Sequence, residues 1–232
     1  AGASPTSKLT VERAADASRR AGAPAVSEAV VLPLATGMAM TLVLLALRKA
    51  RPEARYVIWP RIDQKSCLKA ITAAGLTPVP IANVREGDEL RTDVAAVGDA
   101  IERLGVDAVL CVLTTTSCFA PRAVDRLLDV ARLCDAAGVP HVANNAYGLQ
   151  CALCMRAIAA ASRHGRLDAF VQSTDKNFLV PVGGSVVAAG SDAHGGPLLA
   201  AVRSTYPGRA SIAPILDLFI TLHHLGGDGW ER

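Results

Sequence analysis

The chain has 232 residues, of which 51% are hydrophobic and 19% are charged, and its formal net charge at pH 7 is +3. This composition excludes an intrinsically disordered chain and suits one large domain, or two small ones, with a sizeable core. The charge is too small to indicate nucleic-acid binding by itself, so any RNA contact would need a local basic patch.

Predicted helices and strands alternate along the first half of the chain. Apolar residues three or four apart predict helices at residues 10–23, 38–49, 63–75 and 92–105. Short apolar runs between them predict strands at residues 28–34, 56–60, 77–84 and 106–114. Thr92 is predicted to cap the fourth helix, and the prolines of the third strand place that strand at a sheet edge.

The second half continues this alternation. Helices are predicted at residues 120–138 and 150–165, and strands at residues 139–145, 167–174 and 183–190. We expect residues 191–197 (SDAHGGP) to form a surface loop in which His194 is exposed. The apolar stretch 27–47 is long enough to span a membrane, but Pro33 and Gly37 interrupt it. It therefore predicts a strand, a turn and a buried helix, and no membrane contact.

Apolar strands that alternate with amphipathic helices are typical of an α/β fold, a mostly parallel sheet sandwiched by helices. In such sheets, ligands bind at the carboxyl ends of the strands. The residues that directly follow each predicted strand are therefore the candidates for function.

Six cysteines are present, and most of them lie in apolar runs, which indicates buried free thiols. Cys151 and Cys154 form a lone CxxC without a second CxxC or a spaced pair of histidines, so no metal site is predicted. Nothing resembles a disulfide framework, which favours a reducing compartment such as the cytoplasm.

Three strand ends carry polar residues that suit a cofactor. Thr36 and Gly37 precede a helix whose N-terminal N–H groups can bind a phosphate, although most such turns are only turns. Asn144 and its neighbour Asn145 need polar partners at a buried strand end, and an Asx turn is the structural alternative. Lys176 follows a buried strand, where its amine could form a Schiff base; a lysine with a solvated head is the alternative.

Together, the phosphate-type turn, the asparagine strand end, Ser173 three residues before Lys176 and the glycines after it favour a pyridoxal-phosphate site. The fold expected for that site is the large domain of the aspartate-aminotransferase-like fold. Long motifs then give a specific resemblance, carried by residues 57–67 (VIWPRIDQKSC), 86–93 (EGDELRTD), 114–122 (TTTSCFAPR), 142–148 (VANNAYG), 168–184 (DAFVQSTDKNFLVPVGG) and 206–211 (YPGRAS).

These motifs resemble the O-phosphoseryl-tRNA(Sec):selenocysteinyl-tRNA synthase family, and the resemblance runs nearly from end to end. It implies a pyridoxal-phosphate enzyme, a homotetramer, that replaces the phosphate of O-phosphoseryl-tRNA(Sec) with selenium from selenophosphate. Lys176 would be the Schiff-base lysine and general base. Other cofactor contacts would come from Thr36, Gly37, Gln64, Ser66, Asn144 and Ser173.

The resemblance also assigns two arginines and one unusual amide. Arg209 would bind the phosphate of the phosphoseryl group, and Arg163 would contact tRNA, with a solvated helix-end arginine as its equally weighted alternative. Asn144 falls where related enzymes carry an Asp against the ring nitrogen. A neutral amide would hold the ring proton less strongly, so we expect it to favour elimination over amino transfer.

The resemblance implies that residues 1–232 are the cofactor-binding large domain, with parts of the family's chain missing at both ends. This leaves two alternatives for function. One is another pyridoxal-phosphate enzyme of the same fold, such as a cysteine desulfurase or a decarboxylase. The other is a fragment that binds tRNA or partner subunits without turnover; no DNA contact is expected.

Overall fold

The computed structural model describes residues 5–116, 119–209 and 211–231, so Cys118 and the middle of the 114–122 motif lie outside the described residues. The helices are α1 (Pro5–Arg20), α2 (Thr36–Ala50), α3 (Lys65–Ala73), α4 (Val94–Leu104), α5 (Leu127–Ala137), α6 (Ala152–His164), α7 (Thr174–Asn177), α8 (Asp192–Thr205) and α9 (Ala213–Glu231). The strands are β1 (Ala29–Leu32), β2 (Tyr56–Pro60), β3 (Thr77–Ile81), β4 (Val84–Glu86), β5 (Glu89–Arg91), β6 (Val109–Thr115), β7 (His141–Asn144), β8 (Ala169–Ser173) and β9 (Ser185–Ala189).

Seven of these strands form one sheet in the order β1-β9-β8-β7-β6-β2-β3. The pairs β3–β2, β2–β6, β6–β7 and β7–β8 are parallel, whereas β9 runs antiparallel to both β1 and β8. The predicted mostly parallel sheet is therefore confirmed, with β9 as its one reversed strand among the described residues. The proline-containing strand β3 lies at the edge, as predicted.

Helices cover both faces of the sheet, which explains why all seven residues of β6 are buried. Val57 and Trp59 of β2 pack in the same core as α2, α3 and α8. Ile58, which points to the other face, packs with α4 and α5, and α1, α6 and α9 continue that layer. The fold is thus a three-layer α/β sandwich whose parallel strands end along one common edge.

Tertiary contacts explain why the starts of α4 and α5 differ from the prediction. The helix cap at the start of α4 is Asp93, whose carboxylate accepts a hydrogen bond from the Ala96 N–H at 2.9 Å, and not Thr92. The hydroxyl of Thr92 instead donates to Asp125, a buried carboxylate that also pairs with Arg122 at 2.5 Å. Because these residues form a buried polar loop, α5 begins at Leu127 and not at residue 120.

The segment 191–197 was predicted to be a loop, and this prediction is wrong, because α8 begins at Asp192. Gly195 explains the error: a Cβ atom there would lie 2.6 Å from the Cβ of Ala189 and 2.8 Å from the carbonyl oxygen of Asp168. The glycine therefore lets the helix approach the sheet closely. His194 is exposed, as expected.

The apolar stretch 27–47 forms β1, a turn and most of α2, as predicted. No helix in the described part of the chain is both long enough and apolar enough to cross a membrane. The hairpin of β4 and β5 and the helix α9 were not predicted from the sequence.

Candidate active site at the carboxyl edge of the sheet

The candidate residues meet at the carboxyl edge of the parallel strands. Thr36 and Gly37 follow β1, Gln64 and Ser66 follow β2, Asn144 ends β7, and Ser173 and Lys176 come at and after the end of β8. The pairings of Thr115 with Asn144 and of Ser173 with Ser185 place these strand ends side by side. Seven of the nine residues predicted from the sequence are thus gathered on one edge.

The turn before α2 has the features of an anion site. Helix α2 begins at Thr36, two residues earlier than predicted, so Gly37 lies in its first turn, and the cap residue Ala35 makes no side-chain hydrogen bond to the helix. The buried hydroxyl oxygen of Thr36 has no hydrogen-bond partner among the described residues. A Cβ atom on Gly37 would lie 3.6 Å from the Cβ of Ser66, so the N-terminal ends of α2 and α3 adjoin.

Asn144 forms the Asx turn that was the structural alternative for it. Its Oδ1 accepts a hydrogen bond from the Ala146 N–H at 3.1 Å, and its Nδ2 donates to the sulfur of Cys67 at 3.2 Å. Burial raises the pKa of Cys67 to about 11, so its thiol stays neutral. Because Cys67 follows Ser66 on α3, Asn144 connects β7 to the helix ends that flank the anion site.

Lys176 lies in α7, directly after β8. Its Nζ donates to Asp175 Oδ2 at 2.8 Å and to Ser173 Oγ at 3.3 Å, and it lies 5.4 Å from the ring centre of Tyr147. The lysine side chain is 30% exposed. Lys176 is therefore a partly buried amine with a defined position, and neither a solvated surface charge nor a fully enclosed amine.

Asp175 is held in its charged form beside this amine. Burial alone would raise the pKa of its carboxyl group, but the hydrogen bonds from Lys176 and Ser173 outweigh burial, and the pKa is lowered. The hydroxyl of Ser173 donates to Asp175, so the lysine, the carboxylate and the hydroxyl form one connected group.

The backbone around Lys176 is fixed from both sides. Asn177 Nδ2 donates to the carbonyl oxygens of Ser173 at 2.6 Å and Ala146 at 2.9 Å, and Gln150 donates to the carbonyl oxygen of Lys176 itself. The residues predicted from the sequence did not include Asp175, Tyr147, Gln150 or Asn177. Asp175 and Asn177 had a usable signal, since both are adjacent to Lys176 in the chain.

Close packing within the chain explains a glycine after Lys176. A Cβ atom on Gly184 would lie 2.6 Å from the Thr174 hydroxyl oxygen, so glycine is needed for β9 to approach α7. The buried hydroxyl oxygens of Thr174 and Ser185 have no hydrogen-bond partner among the described residues. Among the described residues, buried hydroxyl groups without partners therefore occur before Lys176 in the chain, at Thr174, and after it, at Ser185.

The two predicted arginines lie apart from this cluster. Arg209 is exposed in the loop between α8 and α9. Burial raises the pKa of the nearby Tyr206 phenol, and the charge of Arg209 opposes this shift. Both helix ends that flank this loop lie toward the carboxyl edge. Arg163 is exposed in the last turn of α6, which runs from the carboxyl edge back to the opposite edge, so it is not brought together with Lys176.

The family of the chain follows from its match to known proteins. A family model described as O-phosphoseryl-tRNA(Sec) selenium transferase matches residues 1–232. The chain belongs to this family. The O-phosphoseryl-tRNA(Sec) selenium transferase of Dictyostelium discoideum is 47% identical over 233 residues, which cover 99% of this chain and 48% of that protein. The chain thus spans about half the length of the curated relatives that it matches.

Solved structures agree with this assignment. A crystal structure of an archaeal O-phosphoseryl-tRNA(Sec) selenium transferase is 31% identical with a TM-score of 0.80, over 87% of this chain and 45% of that one. Oryza sativa TDC with PLP and tryptamine is 14% identical with a TM-score of 0.71, over 97% of this chain and 54% of that one, and shares the fold alone. The predicted fold of the pyridoxal-phosphate enzymes is confirmed.

Proposed function

We propose that residues 1–232 form the cofactor-binding large domain of an enzyme that converts O-phosphoseryl-tRNA(Sec) to selenocysteinyl-tRNA(Sec). The observation that carries the proposal is the arrangement at the carboxyl edge of a chain of this family. There, a positioned lysine amine and a Thr36 hydroxyl without a hydrogen-bond partner among the described residues lie on the same edge of the sheet.

The residues present fit pyridoxal phosphate. A buried hydroxyl without a partner loses about 1–3 kcal/mol relative to a paired one, and a bound phosphate would supply that partner to Thr36. The free N–H groups at the start of α2, with Gly37 among them, favour the same negative group. Gln64 and Ser66 at the start of α3 and Ser173 beside Lys176 would complete the contacts to the cofactor.

Lys176 would hold the cofactor covalently and later act as the base at the substrate α-carbon. When bound, the cofactor supplies a conjugated ring that withdraws electrons from the bonds of that carbon. Asp175 accepts a hydrogen bond from Lys176 Nζ. Its carboxylate would therefore stabilise the ammonium group that forms when the Lys176 amine takes up the α-proton. The phosphate would then leave from the β-carbon, the selenium of selenophosphate would add to that carbon, and water would take up the second phosphate as the Se–P bond breaks.

Asn144 would face the ring nitrogen of the cofactor. Its Oδ1 is engaged by Ala146, while Nδ2 carries a second N–H besides the one given to Cys67. Asn144 therefore suits donation to an unprotonated ring nitrogen better than the stabilisation of a protonated one. This favours early loss of the phosphate leaving group over amino transfer.

Arg209 would bind the phosphate of the phosphoseryl group, because its planar guanidinium can donate two parallel hydrogen bonds. Arg163 would contact tRNA at a distance from the reacting atoms, on the opposite edge of the sheet. The homotetramer and the cytoplasmic location belong to the same proposal. The family resemblance supports the homotetramer, and the lack of a disulfide framework in the sequence supports the reducing compartment.

The test asks whether pyridoxal phosphate attaches covalently to Lys176 and to no other lysine. The chain is incubated with pyridoxal phosphate, its visible absorption band is recorded, and borohydride reduction followed by peptide mass spectrometry locates the adduct. We expect a single adduct on Lys176 that Lys176→Ala abolishes and that Lys69→Ala, a change at an exposed lysine of α3, leaves intact.

Thermal melting of Lys176→Ala should stay close to that of the unchanged chain, because the side chain is partly exposed. An adduct spread over the surface lysines in place of Lys176 would contradict the proposal. Activity itself is measured as phosphate released from phosphoseryl-tRNA in a single turnover, comparing the 232-residue chain with a longer version that covers the full length of its relatives.

A further inference from the structure

Cys151 and Cys154 of the CxxC motif are reactive side chains to which the proposed function assigns no role. Cys151 is the cap residue at the start of α6, and Cys154 lies in the first turn of the same helix. Cys151 is exposed, whereas Cys154 is 3% exposed. The pair therefore combines one thiol that solvent reaches with one that the protein shields.

The two cysteines are three residues apart at the start of α6, and the backbone N–H of Cys154 hydrogen-bonds the side chain of Cys151. Residues three apart in a helical turn have Cβ atoms about 5–6 Å apart, and a disulfide needs about 3.5–4.5 Å. Cys151 precedes α6 and has an extended backbone conformation (φ −104°, ψ 108°), so a local change at this cap residue can close the gap.

The chemistry of Cys151 differs from that of the buried cysteines. Hydrogen bonds from the Cys154 N–H, opposed by slight burial, lower the pKa of the Cys151 thiol. Burial has the opposite effect elsewhere and raises the pKa of Cys67 to about 11 and that of Cys134 to about 12. Among these thiols, Cys151 is the one that is both exposed and inclined to ionise.

We propose that Cys151 and Cys154 are a redox-active dithiol that a small-molecule disulfide such as oxidised glutathione converts to an intramolecular disulfide. The Cys151 thiolate attacks one sulfur of the small disulfide, forms a mixed disulfide and releases one thiolate. The Cys154 thiol then loses its proton to solvent and attacks the Cys151 sulfur, which releases the second small thiolate. The two cysteines lose two electrons, and the small disulfide gains them.

The protein stabilises the reduced form. The Cys154 thiol donates a hydrogen bond to the carbonyl oxygen of Thr116 at 3.4 Å, and a disulfide has no proton to donate. The Cys151–Cys154 disulfide should therefore be reduced more readily than a structural one. It would also form next to Gln150, whose side chain holds the backbone of Lys176.

The test titrates the chain with mixtures of reduced and oxidised glutathione, traps free thiols with an alkylating agent and identifies disulfides by intact mass and peptide mapping. We expect an internal Cys151–Cys154 disulfide in the unchanged chain. In Cys154→Ser, glutathione should remain attached to Cys151, and in Cys151→Ser neither species should form. Cys134→Ser is the matched control, and it should behave as the unchanged chain.

A chain that keeps glutathione on Cys151 with Cys154 intact, or that shows no modification at high oxidised glutathione, would overturn the proposal. Alkylation of Cys151 should also reach half its maximal rate below the pH at which a small free thiol does. None of these measurements requires pyridoxal phosphate, and repeating them with Lys176→Ala keeps their outcome separate from that of the proposed function.

Discussion

Two polar clusters lie at opposite ends of the same strands, and they differ in how completely their hydrogen bonds are made. At the amino edge, Asp168 accepts from the guanidinium of Arg166 at 2.9 Å through both carboxylate oxygens, and from the His141 N–H at 2.8 Å. The imidazole of His141 contacts the Arg166 carbonyl oxygen at 2.9 Å and the Thr114 hydroxyl at 2.8 Å.

The carboxyl edge is arranged differently. Lys176 is partly exposed, and buried hydroxyl groups of Thr36, Thr174 and Ser185 have no hydrogen-bond partner in the described ranges. Buried polar groups are normally paired, so an edge with several unpaired ones is typical of a site that a ligand completes. From this comparison we infer that the amino-edge cluster stabilises the fold and that the carboxyl-edge cluster belongs to the proposed cofactor site.

The largest expected effect is a difference in unfolding free energy between substitutions of two aspartates. Asp168→Ala removes the carboxylate that pairs with the largely buried guanidinium of Arg166 and accepts from the buried His141 backbone N–H, and we expect a loss of about 3–5 kcal/mol of unfolding free energy. Asp175→Ala removes an ion pair that is partly exposed to solvent, and the loss should stay below about 1 kcal/mol. Urea denaturation of both variants measures these values.

Equal losses for the two aspartates would contradict the division of the edges into structural and functional. Asp168→Asn serves as a matched control, because it keeps one acceptor oxygen and should lie between Asp168→Ala and the unchanged chain.

The next effect concerns pH and comes from the amino edge. Burial lowers the pKa of His141 from 6.5 to about 4, so the folded chain keeps this imidazole neutral where the unfolded chain would protonate it. This contribution to stability is complete above pH 6.5 and is lost as the pH falls toward 4, by about 3 kcal/mol in total.

The unfolding free energy of the chain and of His141→Gln should be measured by urea denaturation between pH 4 and pH 7. The difference between the two should shrink as the pH falls. A constant difference would mean that His141 is protonated equally in the folded and unfolded states.

Substitutions of two threonines should change stability less, but they should differ most clearly in whether stability or cofactor affinity falls. Thr114→Val leaves the His141 ring nitrogen without its partner, which should reduce stability by about 1–3 kcal/mol and leave affinity for pyridoxal phosphate unchanged. Thr36→Val removes a hydroxyl that has no partner within the described ranges, so stability should hold or rise. Its affinity for pyridoxal phosphate should fall about tenfold or more.

Thermal melting without the cofactor and absorbance titration with it give the two readouts for each threonine variant. If Thr36→Val bound the cofactor normally, the hydroxyl would not belong to the phosphate site.

The smallest expected effect lies in the outcome of the reaction. Asn144→Asp replaces the amide with a carboxylate that would stabilise a protonated ring nitrogen, so amino transfer should rise above its background level. The measurement is the amount of cofactor released as pyridoxamine phosphate after incubation with substrate. No rise in that amount would remove the proposed role of the amide.

Much of this arrangement could be predicted from residue patterns. The alternation of apolar strands and amphipathic helices predicted the sheet and its two helical layers, and the residues after the strands included Lys176, Thr36 and Asn144. Errors arose where a tertiary contact overrode a local signal. Thr92 pairs with Asp125 and does not cap a helix, and Gly195 packs on the sheet within a helix and does not open a loop.

The sequence by itself determined the fold class, the family resemblance and the lysine, because periodicity and long motifs are properties of the chain. Only the tertiary structure decided which polar groups have partners. Whether Thr36 lacks a partner, Asn144 closes an Asx turn or Lys176 pairs with Asp175 depends on atoms that folding brings together. The Cys151–Cys154 pair was visible in the sequence, but its difference in exposure was set by the packing of α6.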